Sequence, residues 1–246
     1  MRGTGNDELD EEHTFVTLLK SCAMKKDTYE GARLHRDILK RGLLKKSPYL
    51  GSSLVSMYAK CGALVKALQV LEELPDRDTV SWSALIAGYA QEGQGWKALD
   101  CFEQMQREGL SPSDAIFISI LKACGGIGSV KKGEQIHDEI VNRGLIDKNI
   151  SLGNALVDMY AKCGALAKAK KVMEELPARS VISWNAIIAG YAQEEQSDDA
   201  LNSFARMQRE GFIPNEITFT CILKACGNIG AIKRGRLVHD EIKRKG

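Results

Sequence analysis

The chain has 246 residues, 44% of them hydrophobic and 27% charged, which is enough to bury a sizeable core and is unlike the composition of a disordered segment. Its 34 Lys and Arg nearly balance 32 Asp and Glu, and the net charge of +2 argues against sequence-blind nucleic-acid binding through bulk charge, although a basic face can sit inside a balanced total. The seven Cys include no CxxC pair, which speaks against zinc ribbons and thioredoxin-like sites, and the absence of an 18-residue apolar run leaves no membrane span to expect.

The first segment, residues 1–11, is acidic. It reads as a flexible tail and as neither a secretory signal nor a transit peptide, which would be Arg-rich and poor in acids. From Glu12 onward the chain repeats itself. Glu12–Ser113 matches Asp114–Asn215 at 51 of 102 positions without a gap, and a third copy begins at Glu216. Met57–Leu64 (MYAKCGAL) recurs as Met159–Leu166, and Ile86–Glu92 (IAGYAQE) recurs as Ile188–Glu194. Each block divides again, into units Glu12–Ser47, Pro48–Asp78 and Thr79–Ser113, then Asp114–Asn149, Ile150–Ser180 and Val181–Asn215, with Glu216–Gly246 as a partial seventh.

Every unit follows one plan: an apolar-periodic run, a Gly-containing turn, and a second amphipathic run. In Val181–Asn215 the first run carries Ile182, Trp184, Ile187, Ile188 and Tyr191, and the second carries Ala200, Leu201, Phe204 and Met207. Those spacings of three and four mark helical stripes, and Arg209, Gly211 and Pro214 supply stop signals. Each unit is therefore a helical hairpin that cannot bury its stripe alone. The expected fold is all-α, a right-handed α-solenoid of stacked helix-turn-helix repeats, whose inner face suits a linear ligand.

Cys22, Cys124 and Cys226 lie 102 apart, as do Cys61 and Cys163, and His35, His137 and His239 keep the same interval. Residues so spaced are three units apart, too far to share a metal. The Cys are expected to be reduced, small buried groups, and the His to pack or hydrogen-bond. Trp82 and Trp184 sit inside apolar stripes and read as core, whereas Trp96 reads as exposed. No nucleophile–base set, metal site or phosphate loop appears, so neither an enzyme nor a cofactor is expected.

Ser183–Gln193 (SWNAIIAGYAQ), Met159–Gly164 (MYAKCG) and Thr218–Cys226 resemble pentatricopeptide repeats, and the resemblance covers residues 12–246. The alternation of 36, 31 and 35 residues resembles the plant PLS subclass, with L, S and P units in that order. The chain is then a fragment, a short member or an engineered array. The resemblance implies sequence-specific binding of single-stranded RNA, one base per S or P unit, in chloroplasts or mitochondria, in support of processing such as C-to-U editing or splicing. It also implies organellar RNA-editing factors, or a deaminase supplied in trans, as partners. The His-x-Glu and Cys-x-x-Cys of the family's deaminase extensions are missing. A monomer is expected. The alternative is a protein–protein scaffold of the tetratricopeptide type.

In the family, the fifth and last residues of a unit read the base. Here they are Ser52 with Asp78, Ser83 with Ser113, Asn154 with Ser180, and Asn185 with Asn215. The family's pattern assigns these pairs guanine, an ill-defined base (a purine at best), cytosine, and cytosine or uracil, with the chain parallel to the RNA. The bland alternative is helix capping, which suits the last-position residues better than Asn154 and Asn185, set inside apolar runs. Val80 and Ile182 are either wedges between bases or packing residues. Lys60 and Lys162 are either phosphate contacts or solvated helix ends. The L units carry Val16, Ile118 and Thr220 at the fifth position, and Val and Ile cannot hydrogen-bond a base. Those units are expected to leave surface for proteins.

Overall fold

The computed structural model describes residues 4–45 and 47–245. They form fourteen α-helices and no strand: α1 Thr4–Lys25, α2 Thr28–Lys40, α3 Pro48–Lys60, α4 Leu64–Glu73, α5 Thr79–Gln91, α6 Gly95–Arg107, α7 Asp114–Ile127, α8 Val130–Asn142, α9 Ile150–Lys162, α10 Leu166–Glu175, α11 Val181–Gln193, α12 Ser197–Arg209, α13 Glu216–Asn228 and α14 Ile232–Lys245. Among the described residues no helix is long and apolar enough to cross a membrane, and no His, Cys, Asp and Glu cluster could hold a metal.

One expectation is corrected. Residues 4–11, read as a flexible tail, are helical and continue into the first hairpin as the start of α1. The acidic composition that argued for a solvated tail also suits the positive end of a helix. Residues 1–3 of that segment, and Gly246 at the far end of the partial unit, lie outside the described residues.

The helices fall into two compact units, Met1–Ala123 and Cys124–Gly246, divided within α7. In the first, α1, α3 and α5 lie side by side, and α2, α4 and α6 each fold back on the helix before them. In the second, α9, α11 and α13 are the side-by-side set, backed by α10, α12 and α14.

This layering explains why the two helices of a hairpin look different in sequence. An inner helix such as α3 has neighbours on both flanks and behind it, so Leu50, Leu54 and Val55 are all fully buried. Such burial is worth roughly 2 kcal/mol per side chain. A backing helix needs only one apolar stripe, and α12 buries Ala200, Leu201, Phe204 and Met207 at that spacing. Trp82 and Trp184 are core residues at 1% and 2% exposure, and Trp96 is exposed.

Close approach is bought with glycine where backing helix meets the next inner helix. A Cβ on Gly31 of α2 or Gly133 of α8 would sit 2.5 and 2.3 Å from the sulfurs of Met57 and Met159. The His residues add a polar tie at the same interface. His35 Nδ1 lies 3.1 Å from the Tyr58 hydroxyl, and His137 Nδ1 lies 3.0 Å from that of Tyr160. Burial lowers the pKa of both imidazoles and raises those of both phenols, Tyr160 to about 12, so these groups stay neutral. Burial likewise pushes the Cys101 and Cys124 thiols up to about 12 and about 11.

Candidate nucleic-acid interface

On α3 the second, sixth, ninth and thirteenth residues, Tyr49, Ser53, Ser56 and Lys60, form a strip that is exposed at its ends and half-buried between; on α11 the same strip has exposed ends at Ile182 and Gln193 and is closed at the buried Ala186. The candidate readers stand along the edge of this strip.

Three of the four fifth-and-last pairs are joined by a direct hydrogen bond. Ser52 Oγ donates to Asp78 Oδ2 at 2.8 Å, Ser180 Oγ to Asn154 Oδ1 at 2.9 Å, and Asn185 Nδ2 to Asn215 Oδ1 at 3.0 Å. Residues 26 and 30 apart in sequence are thus one polar feature. The fourth pair differs: neither Ser83 nor Ser113 has a side-chain hydrogen bond among the described residues, and Ser113 is exposed.

The last-position residues also cap. Asp78, Ser180 and Asn215 are the N-caps of α5, α11 and α13, accepting from the backbone N–H of Ser81, Ser183 and Thr218. Capping and contact with the fifth residue coexist because each carboxylate, amide or hydroxyl has more than one lone pair or proton. The fifth residues are more covered than a residue facing ligand was expected to be. Ser52, Asn154 and Asn185 are 9%, 7% and 7% exposed, and Asn215 is the more open member of its pair.

Ser183 N–H donates to Ser180 Oγ, and Ser180 Oγ donates to Asn154 Oδ1, with no hydrogen bond from the Asn154 amide nitrogen among the described residues. At Asp78, Ser81 N–H and Oγ–H occupy Oδ1 at 2.8 and 2.7 Å, and Ser52 occupies Oδ2. Burial raises the Asp78 pKa, but these hydrogen bonds outweigh it and hold the group below its ordinary 3.8. Asp78 is therefore a fixed carboxylate, acceptor only.

The Ser52/Asp78 pair opens onto a groove of about 430 Å³ lined by Val16, Leu19, Tyr49, Lys60 and Val80. Tyr49 and Val80 flank the pair and are 75% and 62% exposed, and Ile182, beside the Asn185 pair, is 63% exposed. Solvent exposure of that order is not what core packing produces. The two lysines part ways. Lys60 is exposed on the groove, whereas Lys162, also exposed, makes an ion pair at 2.6 Å with Asp158, which stands where Ser56 stands in the first block. Of the other fifth positions, Val16 and Ile118 are half-buried, and exposed Thr220 donates its hydroxyl to the Glu216 carbonyl. Asp158 and the hydroxyls at Ser81, Ser183 and Thr218 had been passed over in the sequence. The signal for the hydroxyls was there, a Ser or Thr three residues after a capping residue.

The model of the PPR repeat family matches residues 77–126 and 179–228, and that of the PPR repeat matches 52–78 and 154–181. The chain belongs to the pentatricopeptide repeat family. A mitochondrial pentatricopeptide repeat-containing protein of Arabidopsis thaliana is 39% identical over 96% of this chain and 23% of its own length. A chloroplastic one from the same plant is 35% identical over 94% of this chain and 37% of its own. The chain thus spans about a quarter to two fifths of these pentatricopeptide repeat relatives. Among solved structures, the pentatricopeptide repeat protein PPR10 from maize matches with a TM-score of 0.73 at 20% identity, over 95% of this chain and 34% of that one. PPR10 has also been solved in complex with an 18-nt psaJ RNA element. At that identity the likeness establishes a shared all-α repeat fold.

Proposed function

We propose that this chain binds single-stranded RNA with base selectivity, one base to each fifth-and-last pair, in support of RNA processing in a chloroplast or mitochondrion. The observation that carries the reading is the direct hydrogen bond within three of the four pairs at the edge of the strip. A peptide-binding groove has no need of such pairs. The chemistry of two of the pairs supports their assigned bases. The Asp78 carboxylate, acceptor only, suits the N1–H and amino donors of guanine. The free Asn154 amide donors suit the O2 and N3 acceptors of cytosine. The 36-, 31- and 35-residue alternation supports placement in the PLS subclass. Val16 and Ile118 in the longer units leave surface there for RNA-editing partners or a deaminase acting in trans.

In this reading Tyr49, Val80 and Ile182 serve as wedges beside the bases, which their exposure supports, and Lys60 serves as a phosphate contact, with Lys162 weakened in that role by Asp158. Only four pairs read, so affinity is expected to be about micromolar, at about 1–3 kcal/mol per matched base by analogy with protein–DNA sites. A gel shift with a short single-stranded RNA and its duplex tests this. Retention of the single strand alone supports the reading. Equal binding of both, or of neither alongside capture of a peptide, removes it.

A further inference from the structure

Thr218 stands outside the pairs considered so far, yet it touches one of them. Its side chain is fully buried, and its hydroxyl donates to Asn185 Oδ1 at 2.6 Å. The same oxygen also lies 3.1 Å from Asn215 Oδ1, so its one proton has two acceptors within reach, of which Asn185 Oδ1 is the nearer. Asn215 N–H donates to Thr218 Oγ1 at 3.1 Å, so this oxygen is an acceptor there and has one proton left to give. Thr218 N–H donates to Asn215 Oδ1 at 3.1 Å, which identifies that atom of the Asn215 amide as its oxygen. Asn215 Oδ1 then accepts from Asn185 Nδ2, which turns the Asn185 oxygen to the buried side, where the Thr218 proton meets it. Both amide orientations follow from the Thr218 N–H, which can only donate.

We propose that Thr218 is a positioning residue for base recognition: its hydroxyl locks the Asn185 amide with oxygen inward, so that the Asn185/Asn215 pair presents amide nitrogens to the base. This rests on the base-reading proposal above and sharpens it. A pair that offers N–H donors accepts the O2 that cytosine and uracil share and rejects guanine, whose matching edge carries donors of its own. Without the hydroxyl, Asn185 Oδ1 loses its buried donor, and the amide is held by the Asn215 Oδ1 contact alone.

The chain contains its own comparison. The residue 102 before Thr218 is Ile116, which is fully buried and has no hydroxyl, and the Ser83/Ser113 pair beside it is the one without a hydrogen bond. The other third-position hydroxyls do not do this work on a fifth residue. Ser183 Oγ bonds only the Ser180 backbone, and Ser81 Oγ goes to Asp78.

The test uses the full chain and short single-stranded RNAs varied to A, C, G or U at the position assigned to this pair. Thr218→Val removes the hydroxyl at constant shape, Thr218→Ser keeps it, and Asn185→Ala removes the reader. The expected result is that Thr218→Val lowers the preference for pyrimidine over guanine by about tenfold at this position only, the lower end for one mismatched contact, while Thr218→Ser retains it. Thermal unfolding run in parallel separates the capping role, which lowers stability without moving the preference; if Thr218→Val does not fold, Thr218→Ala is scored in its place. Preference intact in Thr218→Val but lost in Asn185→Ala overturns the positioning role and leaves base reading standing. Preference intact in both overturns base reading at this pair itself.

Discussion

The 35-residue units of the two blocks, Thr79–Ser113 and Val181–Asn215, share a core and differ in their polar chemistry. Both bury a Trp, with Trp82 Nε1 donating to Glu108 at 3.0 Å and Trp184 lying under the Arg206 guanidinium at 5.6 Å. Both anchor the preceding hairpin through the same arginine: Arg77 binds the Leu71 carbonyl and Glu108, and Arg179 binds the Met173 carbonyl and Glu210. At the strip, however, Ser83, Ser113 and Ile116 replace Asn185, Asn215 and Thr218, and the hydrogen-bonded triad is gone. Stacking and the proposed base recognition thus rest on separate residue sets, and the second can change while the first is held.

The sharpest way to exploit that separation is to move one block's pair into the other. Asn154→Ser with Ser180→Asp copies the Ser52/Asp78 pair into the equivalent unit. Preference at that single RNA position should pass from C to G, a change of about 1–3 kcal/mol in relative binding, with neighbouring positions unaffected. Competition binding with single-position RNA variants reads it. Uniform loss across all sequences would show that these residues only cap.

The shared set should fail differently. A Cβ on Gly190 would lie 2.7 Å from Leu166 and 3.0 Å from the Ala161 Cβ, whereas on Gly88 it would lie 2.6 Å from Leu64, the flexible counterpart of Leu166, but 3.4 Å from the Ala59 Cβ. Gly190→Ala should cost about 1–3 kcal/mol of unfolding free energy and Gly88→Ala less. Urea unfolding compares them. Equal costs would mean the two blocks pack alike at this crossing after all.

A smaller asymmetry lies in the turns. Gly93 has φ 69°, and its counterpart Glu195 holds φ 58°, a left-handed conformation that strains a residue with a Cβ. Glu195→Gly should stabilise the second block by about 1 kcal/mol, visible as a higher Tm. No gain would mean Glu195 makes up the strain elsewhere.

The smallest effect concerns acid. Asp78 has its folded pKa held below 3.8, so its contribution to stability is present above pH 3.8 and is lost as pH falls through the lower folded value. Ser180, at the same place in the second block, cannot titrate. The Tm of Asp78→Ser should therefore fall less steeply below pH 3.8 than that of the unchanged chain; parallel curves would remove Asp78 from the acid response.

Much of this was legible in the sequence because helical stripes and capping residues are local signals. Pro48, Thr79, Ile150, Val181 and Glu216 each open a helix directly after a Ser, Asp or Asn that caps it. The core reading of Trp82 and Trp184 likewise followed from stripe position. What stayed hidden was nonlocal: that residues 26 or 30 apart would bond each other, and that Thr218 would reach across to Asn185. The N-terminal stretch misled because an acidic run satisfies both a solvated tail and a helix start.

The hydrogen-bonded pairs straddle the line between one hairpin and the next, since the fifth residue belongs to one inner helix and its partner caps the following one. That sets where such an array can be cut and rejoined by recombination. A breakpoint at the boundary before an inner helix, between Asn215 and Glu216 for instance, would divorce Thr218 from the two amides it orients. A breakpoint inside a backing helix such as α12 exchanges Asn215, Thr218 and everything after them together, but leaves Asn185 behind. A crossover ahead of the whole span from Asn185 to Thr218, within α10 for instance, or one beyond Thr218, passes the triad on intact. The inheritable word in this array is therefore out of frame with its structural repeat.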